Sequence, residues 1–328
     1  MTDPPTPLRR RTPLSFRALS LAMLALAVVV LSVGGELYFK FVYYDRIASS
    51  HVPASAAFAL RLDVSQAVFY EPVRRYFLPM LGGPGLPLEQ GDEHITAIEH
   101  ASGLLRSDLR EVVFAGRVGF DDWVIVLNGL FPKDTPSSGL VPTLATEPGW
   151  THTGAIAVSA RGVVVGRAGD GVVLIASSKA WFDEAATGSG GADALGLKTA
   201  GAGSFGLGRE ALGRLARTPA VLATGDLAGL YQQLTGVRGS LGAGERIEAR
   251  AAFSAPDARV ARQAAEETLA MLRALSRSVP TALGGALLAG VERSSVQSDE
   301  GTDPVLVVTW ERIEADRALA ALAESSRR

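Results

Sequence analysis

The sequence predicts an α+β protein, with an N-terminal transmembrane helix followed by two layered helix-on-sheet domains whose strands are mainly antiparallel. Three observations support this prediction. An uncharged segment near the N-terminus is long enough to span a membrane, short β-branched runs alternate with glycine-bearing turns, and longer segments repeat apolar residues with the period of an α-helix. Because short turns join most strands, antiparallel sheets are favoured over a doubly wound parallel sheet.

The N-terminal region divides into a tail and a membrane anchor. Residues 1–17 contain four prolines and four arginines without a hydrophobic period, which predicts a disordered cytoplasmic tail. Residues 18–39 are predicted to form the transmembrane helix, because Ala18 to Gly35 carry no charge and would extend about 27 Å, close to a hydrocarbon core of ~30 Å. Aromatic residues around Lys40 match a membrane interface.

Positive charge sets the expected orientation of this anchor. Four arginines precede the helix, whereas Lys40 and Arg46 follow it, so the positive-inside rule places the N-terminus in the cytoplasm. The rest of the chain is then expected on the periplasmic or extracytoplasmic side of a bacterial inner membrane. A cleaved signal peptide, with Ser32 and Gly34 near the processing site, is the alternative, but the apolar run exceeds the usual h-region of about 7–15 residues.

Residues 50–186 are predicted to form the first exported α+β domain. Its first strand, "SAAFALRLDV", alternates Phe58, Leu60 and Leu62 with polar or small residues, so one face is apolar. Helices are expected from Ser65, with an interruption near Pro72, and over residues 95–105. Further strands are predicted at "EVVFAGRV", "DWVIVLNGLF", "TGAIAVSA", "RGVVVG" and "GVVLIASS", before a helix at "SKAWFDEAA".

A second α+β domain is predicted over residues 209–328, after a Gly-rich linker at 187–208. Helices are expected at "REALGRLAR", "LAGLYQQL" and "IEADRALAALAES", and strands at "PAVLATGD", "ERIEARAAFS", "GVERSSVQSD" and "PVLVVTWE". The most regular pattern is the long amphipathic helix that follows Ser254, for which Ser254 and Asp257 form an S-x-x-D cap. Both domains share a rough order of elements, and whether they are true repeats stays open.

Three segments carry a family resemblance: "VPASAAFALRLDV", "LLRSDLREVVFAG" and "IEARAAFSAPDARVARQAAEETL". They resemble uncharacterised membrane-anchored bacterial envelope proteins with a duplicated α+β exported region. The resemblance covers most of the exported chain through loose core patterns. It implies a fold and a location, and it transfers no activity and no catalytic residue.

The glycine-rich stretch "GRAGDG" does not fit a phosphate-binding loop. Gly166, Gly169 and Gly171 give the spacing G-x-x-G-x-G, and an apolar run follows where a nucleotide loop would open a helix. Asp170-Gly171 between β-branched runs instead predicts a hairpin turn. We expect no cofactor.

Catalytic and metal-binding patterns are equally weak. The serine in "AGSFG", Ser204, lacks the first glycine of a nucleophile elbow and falls in the predicted linker. His94 and His100 cannot share a helix face, so no metal site is predicted. The absence of cysteine excludes disulfides and thiol chemistry, and a net charge of -2 argues against nucleic-acid binding.

One basic and aromatic cluster, in "FYEPVRRYFLPML", is a candidate contact with a partner protein or the membrane. Its residues are Phe69, Tyr70, Arg74, Arg75, Tyr76 and Phe77. A core position for the aromatic rings, with the arginines at the rim, is the competing interpretation. The sequence therefore predicts a non-catalytic binding or scaffolding protein of the cell envelope, and the alternative is an envelope hydrolase with a dispersed active site.

Overall fold

The structure, a computed structural model, describes residues 47–69, 100–105, 108–119, 121–135, 138–188, 190–222, 224–278, 288–297 and 303–325. All of them belong to one compact unit, Arg46–Arg328. The predicted tail (1–17) and transmembrane helix (18–39) lie outside the described residues. Among the helices that the structure does describe, none combines the length and apolar character needed to cross a membrane.

Within the described residues, twelve antiparallel strands form one sheet in the order β11-β12-β10-β9-β8-β1-β2-β3-β7-β6-β5-β4. The strands are β1 Phe58–Asp63, β2 Leu109–Gly116, β3 Trp123–Gly129, β4 Trp150–Thr153, β5 Ile156–Ser159, β6 Val164–Gly169, β7 Val172–Ala176, β8 Gly203–Gly208, β9 Gly236–Ala243, β10 Arg246–Ser254, β11 Ser295–Gln297 and β12 Val305–Glu311. With the helices below, they confirm the predicted α+β class and its antiparallel strands.

Helices connect and cover these strands. After a 3₁₀ helix, Ala48–His51, they are α1 Val64–Phe69, α2 Leu140–Ala145, α3 Lys179–Thr187, α4 Gly191–Ala194, α5 Arg209–Leu215, α6 Pro219–Leu222, α7 Leu227–Gln233, α8 Ala258–Ser278 and α9 Arg312–Ser325. Ser178 is the N-cap of α3, because its side chain accepts a hydrogen bond from the Trp181 N–H. At the start of α8, the Arg259 N–H donates to Asp257, which lowers the pKa of that carboxyl.

The two halves of the sheet carry their main helix layers on opposite faces. In the half from β1 to β7, the 3₁₀ helix, α3 and α4 cover the face that bears Val113 and Val126. In the half from β8 to β12, α5, α7 and α8 cover the other face, which bears Val237 and Phe253. The central pair β1–β8 joins the halves, so the strands of both predicted domains belong to one sheet.

Strand β1 presents its apolar side chains to the open face of the sheet. Leu60 and Leu62 are 53% and 41% exposed, whereas Arg61 and Asp63 are fully buried. Alternation along β1 is therefore present as predicted, but burial follows the charged face, because those side chains pair with one another beneath the helix layer.

The Gly-rich segment 187–208, predicted to be a flexible linker between domains, is part of the folded sheet. It contains α4 and the central strand β8, which pairs with both β1 and β9. The glycines of β8 allow close packing: a Cβ atom on Gly206 would lie 2.2 Å from the carbonyl oxygen of Leu195. The prediction attributed the glycines of this segment to a flexible linker, whereas the structure shows that they permit close packing within the sheet.

Three smaller differences concern the second half. The segment "PAVLATGD", predicted as a strand, begins with the short helix α6. Strand β9 was not predicted, because glycine, serine and arginine separate its few apolar residues. The strand predicted at 290–299 is shorter, since a helix occupies 288–292 and β11 covers only Ser295–Gln297.

Candidate ligand-binding cavity

A half-open cavity of about 290 Å³ lies between helices α5, α7 and α8 and the strands β8, β9, β10 and β12. This volume is near the lower end of small-molecule pockets, which measure roughly 300–1,000 Å³. The lining residues are Phe205, Leu207, Leu212, Leu215, Tyr231, Val237, Ala249, Arg250, Ala251, Phe253, Thr268, Leu272, Leu306, Val308 and Trp310. Their surface is almost entirely apolar, so the cavity suits hydrocarbon.

The cavity has a buried floor and a partly buried mouth. Val237, Phe253 and Leu306 on the strands are buried and form part of the floor. Phe205 and Trp310, by contrast, are only partly buried. An apolar ligand that covers the floor would exchange water for an apolar surface, and this burial is favourable by about 25 cal/mol per Å².

Glycines shape both aromatic walls of the cavity. The Phe205 ring occupies the space above Gly239, where a Cβ atom would lie 2.2 Å from the Phe205 Cε1 atom. Trp310 lies against Gly290 in the same way, since a Cβ atom on Gly290 would lie 2.1 Å from the indole Nε1. Both rings can therefore lie close to the neighbouring backbone, which leaves room above them.

The hydroxyl groups in the wall are paired with each other and with the backbone. Thr268 donates its proton to the Ala264 carbonyl oxygen over 2.6 Å, so the Tyr231 hydroxyl must be the donor in the 2.9 Å contact between Tyr231 and Thr268. Burial is the main influence on this group and raises the pKa of Tyr231. Tyr231 is therefore neutral at physiological pH, and the cavity wall carries no phenolate.

The strongest cluster of charges lies elsewhere, beneath the other face of the sheet. Arg61 Nε donates to Glu111 Oε1 over 2.5 Å, and Arg61 Nη2 lies 3.4 Å from Asp63 Oδ2. All three side chains have no solvent exposure. The antiparallel register places Asp63 directly opposite Glu111, so Arg61 lies between two carboxylates.

Neighbouring groups satisfy the remaining carboxylate oxygens of this cluster. Glu111 Oε2 accepts hydrogen bonds from the Ala48 N–H and from Asn128 Nδ2, while Asp63 Oδ1 accepts from the Ser65 hydroxyl. The cluster thus ties the 3₁₀ helix to β1, β2 and β3. Since it is enclosed and its groups are paired, it acts as a structural tie rather than as a site open to a substrate.

A second cleft, of about 380 Å³, lies beside α2, and its lining includes the polar residues Asp134, His152 and Arg167. Its main charges already have partners. Asp134 accepts from the N–H groups of Leu140 and Val141 and from Arg167, which also donates to the Pro132 carbonyl. These contacts hold α2 on the sheet, so we assign the cleft a structural role.

The predicted surface cluster falls almost wholly outside the described residues. Phe69 is the last residue of α1, and its side chain is not described. Tyr70, Arg74, Arg75, Tyr76 and Phe77 lie outside the described residues, as does His94. The role of this cluster as a partner or membrane contact therefore stays a prediction.

The structure describes the remaining candidate residues, and they lie in a turn and in the core of the sheet. Asp170-Gly171 joins β6 to β7 as predicted, with Gly171 at φ +71°, so the hairpin is confirmed. Ser204 is buried in β8, and its hydroxyl donates to the Lys198 carbonyl. Within the described residues, no group of three or more His, Asp or Glu side chains is arranged to hold a metal ion.

Sequence reasoning missed the cavity because it missed two of the four strands that line it. Phe205 and Leu207 lie in β8, which was predicted as linker, and Val237 lies in the unpredicted strand β9. A signal was present: Phe205 and Leu207 alternate with glycines at period two, which is compatible with one face of a strand.

The fold defines an α+β protein with one continuous antiparallel sheet, whose two halves carry their main helix layers on opposite faces. No family model matches the chain, and no curated protein does. The solved structures that align with it include crystal forms I and III of TP0453, each with a TM-score of 0.43, identities of 9% and 10%, and coverage of 86% of this chain and 99% of that chain. Crystal form IV of TP0453 aligns with a TM-score of 0.43 and 10% identity over 84% of this chain and 95% of that chain.

Proposed function

We propose that this chain is a single-pass protein of the bacterial inner membrane whose exported part binds an apolar ligand without catalysis. The observation that carries the proposal is the half-open cavity under α8, whose floor is apolar and buried. The uncharged run from residue 18 to residue 35, within the predicted transmembrane helix at 18–39, supports the membrane location, and the arginines before it support a cytoplasmic N-terminus. The cluster from Phe69 to Phe77 would add a contact to the membrane or to an envelope protein partner.

Fluorescence quenching by a brominated fatty acid tests ligand binding directly. Bromine quenches an indole that it contacts, and Trp310 is the tryptophan among the cavity-lining residues, whereas Trp123, Trp150 and Trp181 lie elsewhere. The full chain, held in lipid nanodiscs, is titrated with ω-bromododecanoate. We expect quenching that the Trp310→Phe substitution removes.

Two substitutions on one strand separate cavity binding from other effects. Ala251 lines the cavity, so Ala251→Leu narrows it and should weaken the quenching. Ala252 lies on the opposite face of β10, where it pairs with Arg238 and Val305, and Ala252→Leu serves as the matched control. Equal quenching in the two variants, or no Trp310 quenching in the unchanged protein, would contradict the proposal.

Reporter fusions test the membrane topology independently. A reporter that is active in the cytoplasm should function when it is fused at residue 17, and one that requires export should function at residue 50. The opposite pattern would show that the N-terminal tail is exported, and it would overturn the orientation.

A further inference from the structure

We infer that the ligand is an amphiphile with a flexible aliphatic chain, which fills the cavity and continues along the open face of the sheet. This inference rests on the proposed binding function and adds the chemical class of the ligand. Its first basis is the wall chemistry. Because the Tyr231 and Thr268 hydroxyls are already paired, a polar atom of the ligand inside the cavity would lose its water without gaining these partners.

The second basis is a strip of exposed leucines beside the mouth. We call Leu60, Leu62 and Leu241 the leucine strip; they are 53%, 41% and 36% exposed. Such a group of exposed apolar side chains on one sheet face is typical of a binding surface.

Strand pairing makes the leucine strip continuous with the cavity. Leu60 pairs with Phe205, whose ring covers Gly239, so these residues form one row across β1, β8 and β9. In the next row Gly203 lies between Leu62 and Leu241, where its missing side chain leaves a trough.

The length of this apolar path favours a chain over a compact ring. Neighbouring strands are about 4.8 Å apart, so two strand spacings from β9 to β1 extend the apolar surface by roughly 10 Å beyond the cavity. A rigid ring system that fills about 290 Å³ would leave the leucine strip uncovered. An extended chain can occupy both parts, with its polar group in water at the outer end.

A competition experiment tests the chain class on the full protein in nanodiscs. Unbrominated octanoate, palmitate or 2-naphthoate is added to the complex with ω-bromododecanoate, and the recovery of Trp310 fluorescence is measured. We expect palmitate to restore it at a concentration about tenfold lower than octanoate, because the longer chain also covers the leucine strip. The two competitors are compared at their free aqueous concentrations, because palmitate partitions into the nanodisc lipid more than octanoate does.

Substitutions in the strip show whether the preference arises there. In the Leu60→Ser/Leu62→Ser variant the ratio of palmitate to octanoate affinity should fall about tenfold, to near one. Leu241→Ser tests the same strip from β9. Leu130→Ser, at a leucine that is 40% exposed outside the strip, should keep the ratio of the unchanged protein.

The outcomes separate this inference from the proposed function. Quenching of Trp310 with equal competition by palmitate and octanoate, stronger competition by 2-naphthoate, or a ratio that the strip variants leave unchanged would each overturn the aliphatic chain while leaving apolar binding intact. Absence of Trp310 quenching in the unchanged protein would overturn the binding function itself.

Discussion

Arg61 is fully buried in β1, and its environment explains why a charge is tolerated there. Glu111 and Asp63 compensate its charge, and the Ala48 N–H and Asn128 bind the far oxygen of Glu111. Glu111 is 50 residues away from Arg61 in the sequence. Alternation within β1 could show that Arg61 and Leu60 lie on opposite faces, but the pairing that decides which face is buried depends on a distant strand.

Replacing Arg61 should be among the most damaging single changes in the described fold. Arg61→Met leaves the Glu111 and Asp63 carboxylates buried without their cation, and loss of one partner from a buried ion pair costs about 3–5 kcal/mol. Urea unfolding measures this cost. Arg262→Met is the control, because Arg262 and Glu266 form an exposed pair for which we expect roughly 0.5 kcal/mol or less. Similar values for the two variants would show that the buried cluster adds little stability.

Tyr231 should titrate at unusually high pH. Burial raises its pKa above the usual 10.0, so the folded state holds the phenolic proton more tightly than the unfolded state does. The resulting contribution to the free energy of unfolding is fully present below pH 10.0. It is lost as the pH rises through the folded-state pKa. The chain has six tyrosines, and subtracting the phenolate absorbance of Tyr231→Phe from that of the unchanged protein isolates this group. Its midpoint is expected above pH 10.0. A midpoint below that value would mean that the cavity wall is more hydrated than the structure indicates.

At the scale of elements, the β6–β7 hairpin depends on its turn glycine. Gly171 has φ +71°, and a Cβ atom there would lie 2.5 Å from the Gly129 carbonyl oxygen. Gly171→Ala should therefore lower the free energy of unfolding by more than about 1 kcal/mol. Gly169→Ala in the same hairpin is the matched control, since a Cβ atom at Gly169 meets nothing within 4 Å. Thermal unfolding should rank the two variants in this order, and a reversed order would contradict the turn assignment.

Strand β9 offers a similar comparison between its two faces. Gly239→Ala places a methyl group against the Phe205 ring and the Arg250 carbonyl oxygen, so overpacking should cost about 1–3 kcal/mol. Gly242 faces the other side, where the nearest contact of a Cβ atom is 3.8 Å, and Gly242→Ala should be neutral or gain up to about 1 kcal/mol. Chemical denaturation distinguishes them. If Gly239→Ala proved neutral, the Phe205 ring would not be held above Gly239.

Elements with a clear apolar period were predictable from the sequence. The strands β7 and β12 are short runs rich in β-branched and other apolar residues, β10 alternates apolar with mainly charged residues, and the helix α8 repeats apolar residues at the helical period. Strands β8 and β9 were missed because glycines interrupt their apolar residues, and close packing requires two of these glycines: Gly206 against Leu195, and Gly239 against Phe205 and the Arg250 carbonyl oxygen. Such a glycine is needed because another part of the chain lies close to it in the fold. The local sequence does not show which part that is.

At the scale of the whole molecule, the pairing of β1 with β8 predicts cooperative unfolding. Variants that retain only Trp181, which packs in the first half, or only Trp310, which packs in the second, report on the two halves separately. We expect their urea unfolding midpoints to coincide, because separating the halves would expose the central pair. Two distinct midpoints would show that the halves are independent domains in spite of the shared sheet.

The α+β class could be predicted from the sequence, but the continuity of the sheet and the cavity could not. Predicting them required knowing that Phe58 pairs with Leu207 across segments separated by more than half of the described chain. The cavity draws on four strands and three helices whose lining residues range from Phe205 to Trp310. Pairings between segments so far apart in the sequence cannot be inferred from local patterns of residues.

Strand β8 contributes side chains to both faces of the sheet. Ser204 faces the helix layer that covers Arg61, and Phe205 faces the cavity on the opposite side. A shift of one residue along this strand would turn Phe205 toward the charged cluster and Ser204 toward the hydrocarbon-lined side. Insertion or deletion of a single residue in β8 would therefore damage two interiors together, whereas the same change in a surface turn would damage neither. Natural variants of this protein should accordingly differ in length at their loops and keep β8 constant in length.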